Sequence, residues 1–223
     1  MDQGTAGDNQ ELADIGVDLG TGGGHVAYLL AQHAGTVTAS DLSAGMLDAV
    51  AATARSRGLS NIETVEARAE RLPFDPGTFD FIACRYSAHH WRDFEGGLRE
   101  ARRVLKAGAP AIFIDACSPG PALLDTHLQA VELLRDGSHV RDYSASEWAG
   151  ALARCGFATR SCRTWRVRMD FPVWTARMRT PDENARAIRA LQAAASAEVR
   201  AHFAIEPDGS FMLDTLMIET VAA

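Results

Sequence analysis

A chain of 223 residues, 47% hydrophobic and 23% charged, is long enough to bury one substantial core, so a single domain is expected over residues 1–223. Its formal net charge of −7 argues against a sequence-independent grip on phosphate backbones, so nucleic acid is not an expected partner. No run approaches the roughly 18 apolar residues of a membrane helix, and the polar stretch from Met1 to Gln10 does not read as a signal peptide, which predicts a cytoplasmic protein without a membrane span.

Cys84, Cys117, Cys155 and Cys162 form no C-x-x-C pair and read as buried free thiols. Charge is unevenly spread. Residues 154–200 hold ten Arg against Asp170, Asp182, Glu183 and Glu198, a net +6 beside −13 for the remainder. Either this is a solvated, Arg-rich helical face, or it is an electropositive wall suited to an anionic substrate.

The first half alternates strand and helix. Ile15 to Leu19 is a short apolar run ending in glycines, followed by Val26, Leu29, Leu30 and His33 at helical spacing. Thr36 to Ala39 is β-prone, and Met46, Leu47, Val50 and Ala54 mark a second helix that stops near Gly58. Ile62 to Val65 predicts a third strand. After the breakers Pro73, Pro76 and Gly77, the continuous apolar run Phe79 to Cys84 suits a strand covered on both faces. Phe94, Leu98, Ala101 and Leu105 form a helical stripe, and Ala111 to Ile114 a fifth strand. Five such units predict a doubly wound parallel sheet.

The second half reads as more helical. Leu124, Leu128, Val131 and Leu134 form one stripe, and Ser144 with Glu147 makes a capping box for a helix to about Arg154. Phe157 to Met169 reads as a long strand. Thr180-Pro181-Asp182-Glu183 predicts an N-cap and capping box for a helix carrying Ile188, Leu191, Ala195 and Val199, and Phe211 to Val221 a final strand. Trp165, Phe171 and Trp174 are expected in the core, one or two of them lining an apolar pocket.

The loop Asp18-Leu-Gly-Thr-Gly-Gly-Gly24 follows a strand and opens a helix, so bare backbone amides and a positive helix end face a ligand. A dinucleotide fingerprint needs a third glycine at position 25, where the chain has His25. Asp18 just before the loop is awkward for a pyrophosphate and suitable for the cationic amino-acid end of S-adenosylmethionine (SAM). Asp41 follows the second strand, where a carboxylate can accept from both ribose hydroxyls or act as a helix N-terminal charge.

Taken together, the glycine loop, Asp41-Leu-Ser with Met46-Leu47, Leu72-Pro73-Phe74 before Phe79-Asp80, and Leu98-Arg-Glu-Ala-Arg-Arg-Val-Leu-Lys106 resemble successive motifs of the class I SAM-dependent methyltransferases. Within that class the chain is most similar to the group related to the ubiquinone/menaquinone C-methyltransferases. The resemblance is dense over residues 15–116 and fades beyond. It implies an α/β, Rossmann-like, three-layer fold, its seven-stranded sheet ordered 3-2-1-4-5-7-6 with the last strand antiparallel. Residues 1–14 would be a polar tail, 15–116 the SAM-binding half, and 117–223 a substrate-side half with helical additions.

By the same resemblance Gly20, Thr21, Gly22 and Gly24 would line the methionine end of SAM, with Asp18, His25 and Arg85 near it. Asp41, Leu42 and Met46 would take the ribose and adenine, and Ala69 the adenine edge. Where relatives carry an acidic residue for the adenine amino group, this chain has Arg68, which can only donate, so Glu70 or backbone atoms would substitute. Relatives place helices over the cofactor ahead of the glycine strand; here that strand begins near Ile15, so a lid would be missing or supplied from elsewhere.

Ligands on such sheets bind beyond the carboxyl ends of the strands, which points to Arg85-Tyr-Ser-Ala-His-His-Trp91. His89 and His90 are the candidate catalytic residues, as a general base, with His90 preferred; the other reading has one ring packed on Trp91 and the other bonded to backbone. An extended segment would send their rings to opposite sides, without metal-ligand spacing, so no metal is expected. Trp91, His139, Arg141 and Tyr143 are candidate substrate contacts. The expected activity is methyl transfer to a small, largely apolar metabolite, with S-adenosyl-L-homocysteine (SAH) as product and carbon, nitrogen and oxygen acceptors all open. The alternatives are a SAM-binding module without turnover and a nicotinamide-dependent oxidoreductase. A homodimer is also left open.

Overall fold

The computed structural model describes residues 14–223; the expected N-terminal tail lies, but for Asp14, outside the described residues. One mixed sheet carries β1 (Ile15–Leu19), β2 (Thr36–Asp41), β3 (Ile62–Glu66), β4 (Phe81–Arg85), β5 (Pro110–Ala116), β6 (Phe157–Met169) and β7 (Phe211–Ala222). Their order is β3-β2-β1-β4-β5-β7-β6, with β7 antiparallel to both neighbours, as the resemblance implied. The helices are α1 (His25–Leu30), α2 (Ala44–Ser56), α3 (Phe94–Val104), α4 (Ala122–Arg135), α5 (Ala145–Arg154), α6 (Phe171–Arg177), α7 (Asp182–Ala194) and α8 (Ala197–His202). Among the described residues no helix is long and apolar enough to cross a membrane.

The strand order reverses direction between β1 and β4, whose parallel register aligns Leu19 with Cys84. The chain segments leaving these two strands therefore diverge and leave a crevice at the carboxyl edge of the sheet. Val17, Leu19, Ile82 and Phe113 are almost completely buried beneath it, packed with Leu98, Trp148 and Leu216. A second cluster, Leu128, Ile188, Phe203 and Leu213 among its members, joins the C-terminal helices to β7. Through β7, the later part of the chain is hydrogen-bonded directly onto β5.

Several local expectations are corrected. Six-residue α1 buries Ala27 and Tyr28 rather than Leu29, which is 58% exposed, because the Tyr28 ring must fit beneath Gly24. Phe79 precedes β4, fully buried, in an isolated bridge to Leu105. Thr180 does not cap α7; its hydroxyl donates to the Arg135 carbonyl, and Pro181 takes the cap position. The helix expected through Val199 breaks at Ala195, because Ser196 caps a new one, α8, by accepting from the Val199 amide. The Ser144–Glu147 capping box is present. Cys162 and Trp165 are exposed, since β6 is the edge strand, and its Arg160, Arg163, Arg166 and Arg168 protect that edge from further pairing. Cys84, Cys117 and Cys155 are buried free thiols.

Candidate functional site

Two cavities open at the carboxyl edge of the sheet. The first, about 500 Å³, is lined by Gly20, Asp41, Leu42, Ala67, Arg68, Ala69, Glu70, Ser87, Trp91 and the loop Gly137 to Val140, among others. The second, about 450 Å³, lies between the end of β4, α4, β6 and α6. Both volumes fall within the roughly 300–1,000 Å³ of small-ligand sites. Among the described residues, His90 alone lines both.

The glycine loop is built from within. Asp18 is buried, and its Oδ2 accepts from the Thr21 hydroxyl at 2.6 Å and from the Ala27 amide of α1 at 3.0 Å. Burial raises its pKa to about 6 against the pull of those two bonds. Gly20 has φ +68°, and a Cβ there would stand 1.8 Å from Ser87 Oγ, so only glycine lets the loop approach the segment after β4. Gly22, φ +49°, has nothing within 4 Å of a Cβ position and leaves open space. Its amide donates to Asp41 Oδ2 at 2.9 Å, while Asp41 Oδ1 accepts from the Ser43 amide.

The cofactor residues expected from sequence thus divide. Gly20, Asp41, Leu42, Ala69 and Glu70 line the first cavity. Asp18, Thr21 and Gly24 are buried behind it and shape the loop, Asp18 and Thr21 satisfying each other rather than facing a ligand, while Gly22 faces open space beside Asp41. His25 and Met46 are exposed off its wall, and Arg85 lines the second cavity. Glu70 Oε1 accepts from the amides of Arg92 and Asp93, so that oxygen serves the turn before α3 instead of an adenine.

The two histidines do not lie on an extended strand. Ala88–His90 is a 3₁₀ turn, and the rings are neighbours, 4.1 Å apart between centroids. Asp115, at the end of β5, grips His89 twice, Oδ1 at 2.5 Å from ring Nδ1 and Oδ2 accepting from the His89 amide at 3.2 Å. Burial disfavours a His89 cation, but the charge and hydrogen bond of Asp115, with Asp142 and Glu132 behind it, prevail and raise its pKa to about 9. His90 shifts the other way, lowered by burial and by the neighbouring His89 cation.

The His90 tautomer follows from its partners. Nδ1 lies 3.2 Å from the Ser138 carbonyl, which only accepts, and 3.2 Å from the Ser138 hydroxyl, whose proton goes to Asp136 Oδ1 at 2.7 Å, an arrangement that puts the proton on Nδ1 and leaves Nε2 its lone pair. Asp136 Oδ2 stands 3.9 Å from that Nε2 and is buried, with no hydrogen-bond partner among the described residues.

The candidate substrate contacts are largely relocated. Trp91, whose indole donates to Ser87 Oγ, and His139 line the first cavity. Arg141 is tied to Asp125 and Glu147, and Tyr143 stacks on Phe94 at 3.9 Å; neither lines a cavity. The second cavity is walled instead by Glu132, Arg135, Asp136, Asp142 and α6 residues including Val173 and Trp174. Sequence reading missed Asp115 and the helix α6, although Trp174 of that helix was among the aromatics expected to line an apolar pocket; a carboxylate at the C-terminal end of β5 was the available signal for the first.

A family model described as "Methyltransferase domain" matches residues 17–113. The chain is 44% identical to the uncharacterized protein YafE of Escherichia coli (strain K12) over 88% of its length and 95% of that protein's. It is 31% identical to the uncharacterized methyltransferase YcgJ of Bacillus subtilis (strain 168), covering 92% and 83%. The YcgJ crystal structure superposes with a TM-score of 0.91 over 96% of this chain and 93% of that one, at 29% identity. The ubiquinone/menaquinone biosynthesis C-methyltransferase UbiE of Stenotrophomonas maltophilia (strain R551-3) is 36% identical over 43% of this chain and 39% of its own.

Proposed function

The chain belongs to the class I SAM-dependent methyltransferases, and from that premise we propose that it methylates a small, largely apolar metabolite held in the second cavity, with His90 taking the acceptor's proton. The observation that carries this reading is the position of His90 on the wall of both cavities. Residues 15–116 serve the cofactor and 117–223 shape the acceptor side, within one domain.

The first cavity fits SAM. The open face at Gly22 leaves room at the loop, and Asp41 offers carboxylate oxygens beside it. SAM, when bound, supplies an electrophilic methyl group. Asp41 orients the ribose hydroxyls, Leu42 and Ala69 flank the adenine, and backbone groups around Ala67 to Ala69 serve its polar edge, since Arg68 cannot accept.

The remaining work belongs to the protein. Methyl transfer needs alignment first, and a base where the acceptor atom must lose a proton. His90 Nε2 is unprotonated at neutral pH, and Asp136 Oδ2 is placed to stabilise the imidazolium formed when it takes that proton. His89, held by Asp115, is a positioning residue whose charge keeps His90 neutral. Single-turnover rates test the assignment. His90→Ala should slow transfer by about 10² to 10⁴-fold with SAH affinity nearly intact. A fully folded His90→Ala protein with wild-type rate would show that alignment alone suffices.

A further inference from the structure

The second cavity carries more arginine than its own acids consume. Arg85 ends β4, Arg135 ends α4, Arg168 lies near the end of β6, and Arg177 ends α6, all four on the wall. Arg135 is committed, donating to Glu132 at 3.2 Å and to the Trp174 carbonyl at 3.1 Å. So is Arg168, whose Nε and Nη2 grip the two oxygens of Glu206 at 2.7 and 2.6 Å.

The acids on the wall are accounted for as well. Glu132 is answered by Arg135, and Asp170 caps α6 and stands 3.7 Å from Arg168. Asp136 accepts from Ser138 and faces His90. Asp142 is 1% exposed, lies beside His89 and Asp115, and forms no ion pair with an arginine among the described residues, while burial together with Glu132 raises its carboxyl well above the usual range. Arg85 and Arg177 have no hydrogen bond or ion pair among the described residues; Arg85 only lies over the Tyr86 ring, 4.8 Å from its centroid. The pairing leaves two exposed guanidinium groups beside a surface of Met169, Val173, Trp174 and Met178.

We propose that the acceptor is an organic anion, a small apolar body bearing one carboxylate or phosphate group, which Arg85 and Arg177 hold while the body lies on α6. This rests on the reading that the second cavity seats the acceptor. Guanidinium groups suit it because they donate in pairs to planar or tetrahedral oxyanions. It also identifies which part of the Arg-rich segment has a ligand to meet: Arg177, with Arg85 joining from β4.

Protein saturated with SAH is the material for the test, with hexanoate, hexyl phosphate, hexanamide and hexylamine as probes in calorimetry and ligand-observed NMR. At least one acid should bind about tenfold or more tightly than hexanamide, and hexylamine weakest. The better of the two acids tells carboxylate from phosphate. Arg85→Gln and Arg177→Gln should each weaken the acid by roughly tenfold, leave hexanamide unchanged and reduce the salt dependence of acid binding. Acid and amide of equal affinity, a preferred amine, no acid binding at millimolar concentration, or wild-type acid affinity in both variants would each overturn the anionic acceptor. Failure of SAH itself to bind would instead remove the site assignment beneath it.

Discussion

Asp115 holds His89 by both the ring and the main chain, Nδ1 to Oδ1 at 2.5 Å and the amide to Oδ2 at 3.2 Å, at the point where β5 ends beneath the second cavity. This clamp ties the turn after β4 to the adjacent strand and sets the charge beside His90.

The clamp has a pH signature. His89 has a folded pKa of about 9 against 6.5 for the ordinary group, so its stabilisation is complete below pH 6.5 and is lost as pH rises through 9. A shift of that size corresponds to about 3 kcal/mol. Asp115→Asn should therefore lower stability by about 2–4 kcal/mol at pH 6, with the gap narrowing toward pH 10. Urea unfolding at several pH values reads this directly; a gap independent of pH would contradict the ion pair.

The rate should respond to the same pair. With its pKa lowered by burial and by the His89 charge, free His90 should give kcat/KM an ascending limb centred below pH 6.5. Asp115→Asn removes the support for the His89 cation and should move that limb upward. Asp136→Asn removes the countercharge to His90 and should move it downward, with turnover reduced by roughly tenfold. Limbs that coincide in all three proteins would exclude His90 as the titrating base.

Steric constraint on the glycine loop falls at Gly20, against Ser87, and at Gly24, against the Tyr28 ring, and spares Gly22. Gly20→Ala drives a Cβ into Ser87 Oγ and should cost more than about 2 kcal/mol, part of it recovered in Gly20→Ala/Ser87→Gly. Gly22→Ala meets open space and should cost only about 1 kcal/mol, the penalty of its positive φ. Melting curves and SAH titrations of the three variants separate the two positions, and equal destabilisation of both single mutants would refute the distinction.

Asp41→Ala should weaken SAH by about 1–3 kcal/mol, since the ribose loses its charge-assisted acceptor and the Gly22 amide its partner. Calorimetry gives the difference, and unchanged affinity would take Asp41 out of the site.

Much of this protein is present in local pattern. The strand, glycine turn and helix around Asp18 to Gly24, the capping box at Ser144 and the long strands from Phe157 and Phe211 all come from periodicity and backbone chemistry that neighbouring residues supply. The strand order was not in that pattern; it was implied by the resemblance of short contiguous motifs, the glycine loop among them, to the SAM-dependent methyltransferases. What the tertiary structure decided were the relationships between distant segments. Whether the rings of His89 and His90 diverge or lie side by side depends on a 3₁₀ turn held by β5 and the 136–143 loop, which bind it through Asp115 and Ser138. Trp91 and His139 moved to the wall of the first cavity, and Arg141 and Tyr143 away from both cavities, because their partners, Ser87, Gln129, Asp125 and Phe94, lie on other elements. Asp136 and Asp142 became site residues only when folding closed them off from water beside histidine, a placement no single segment encodes.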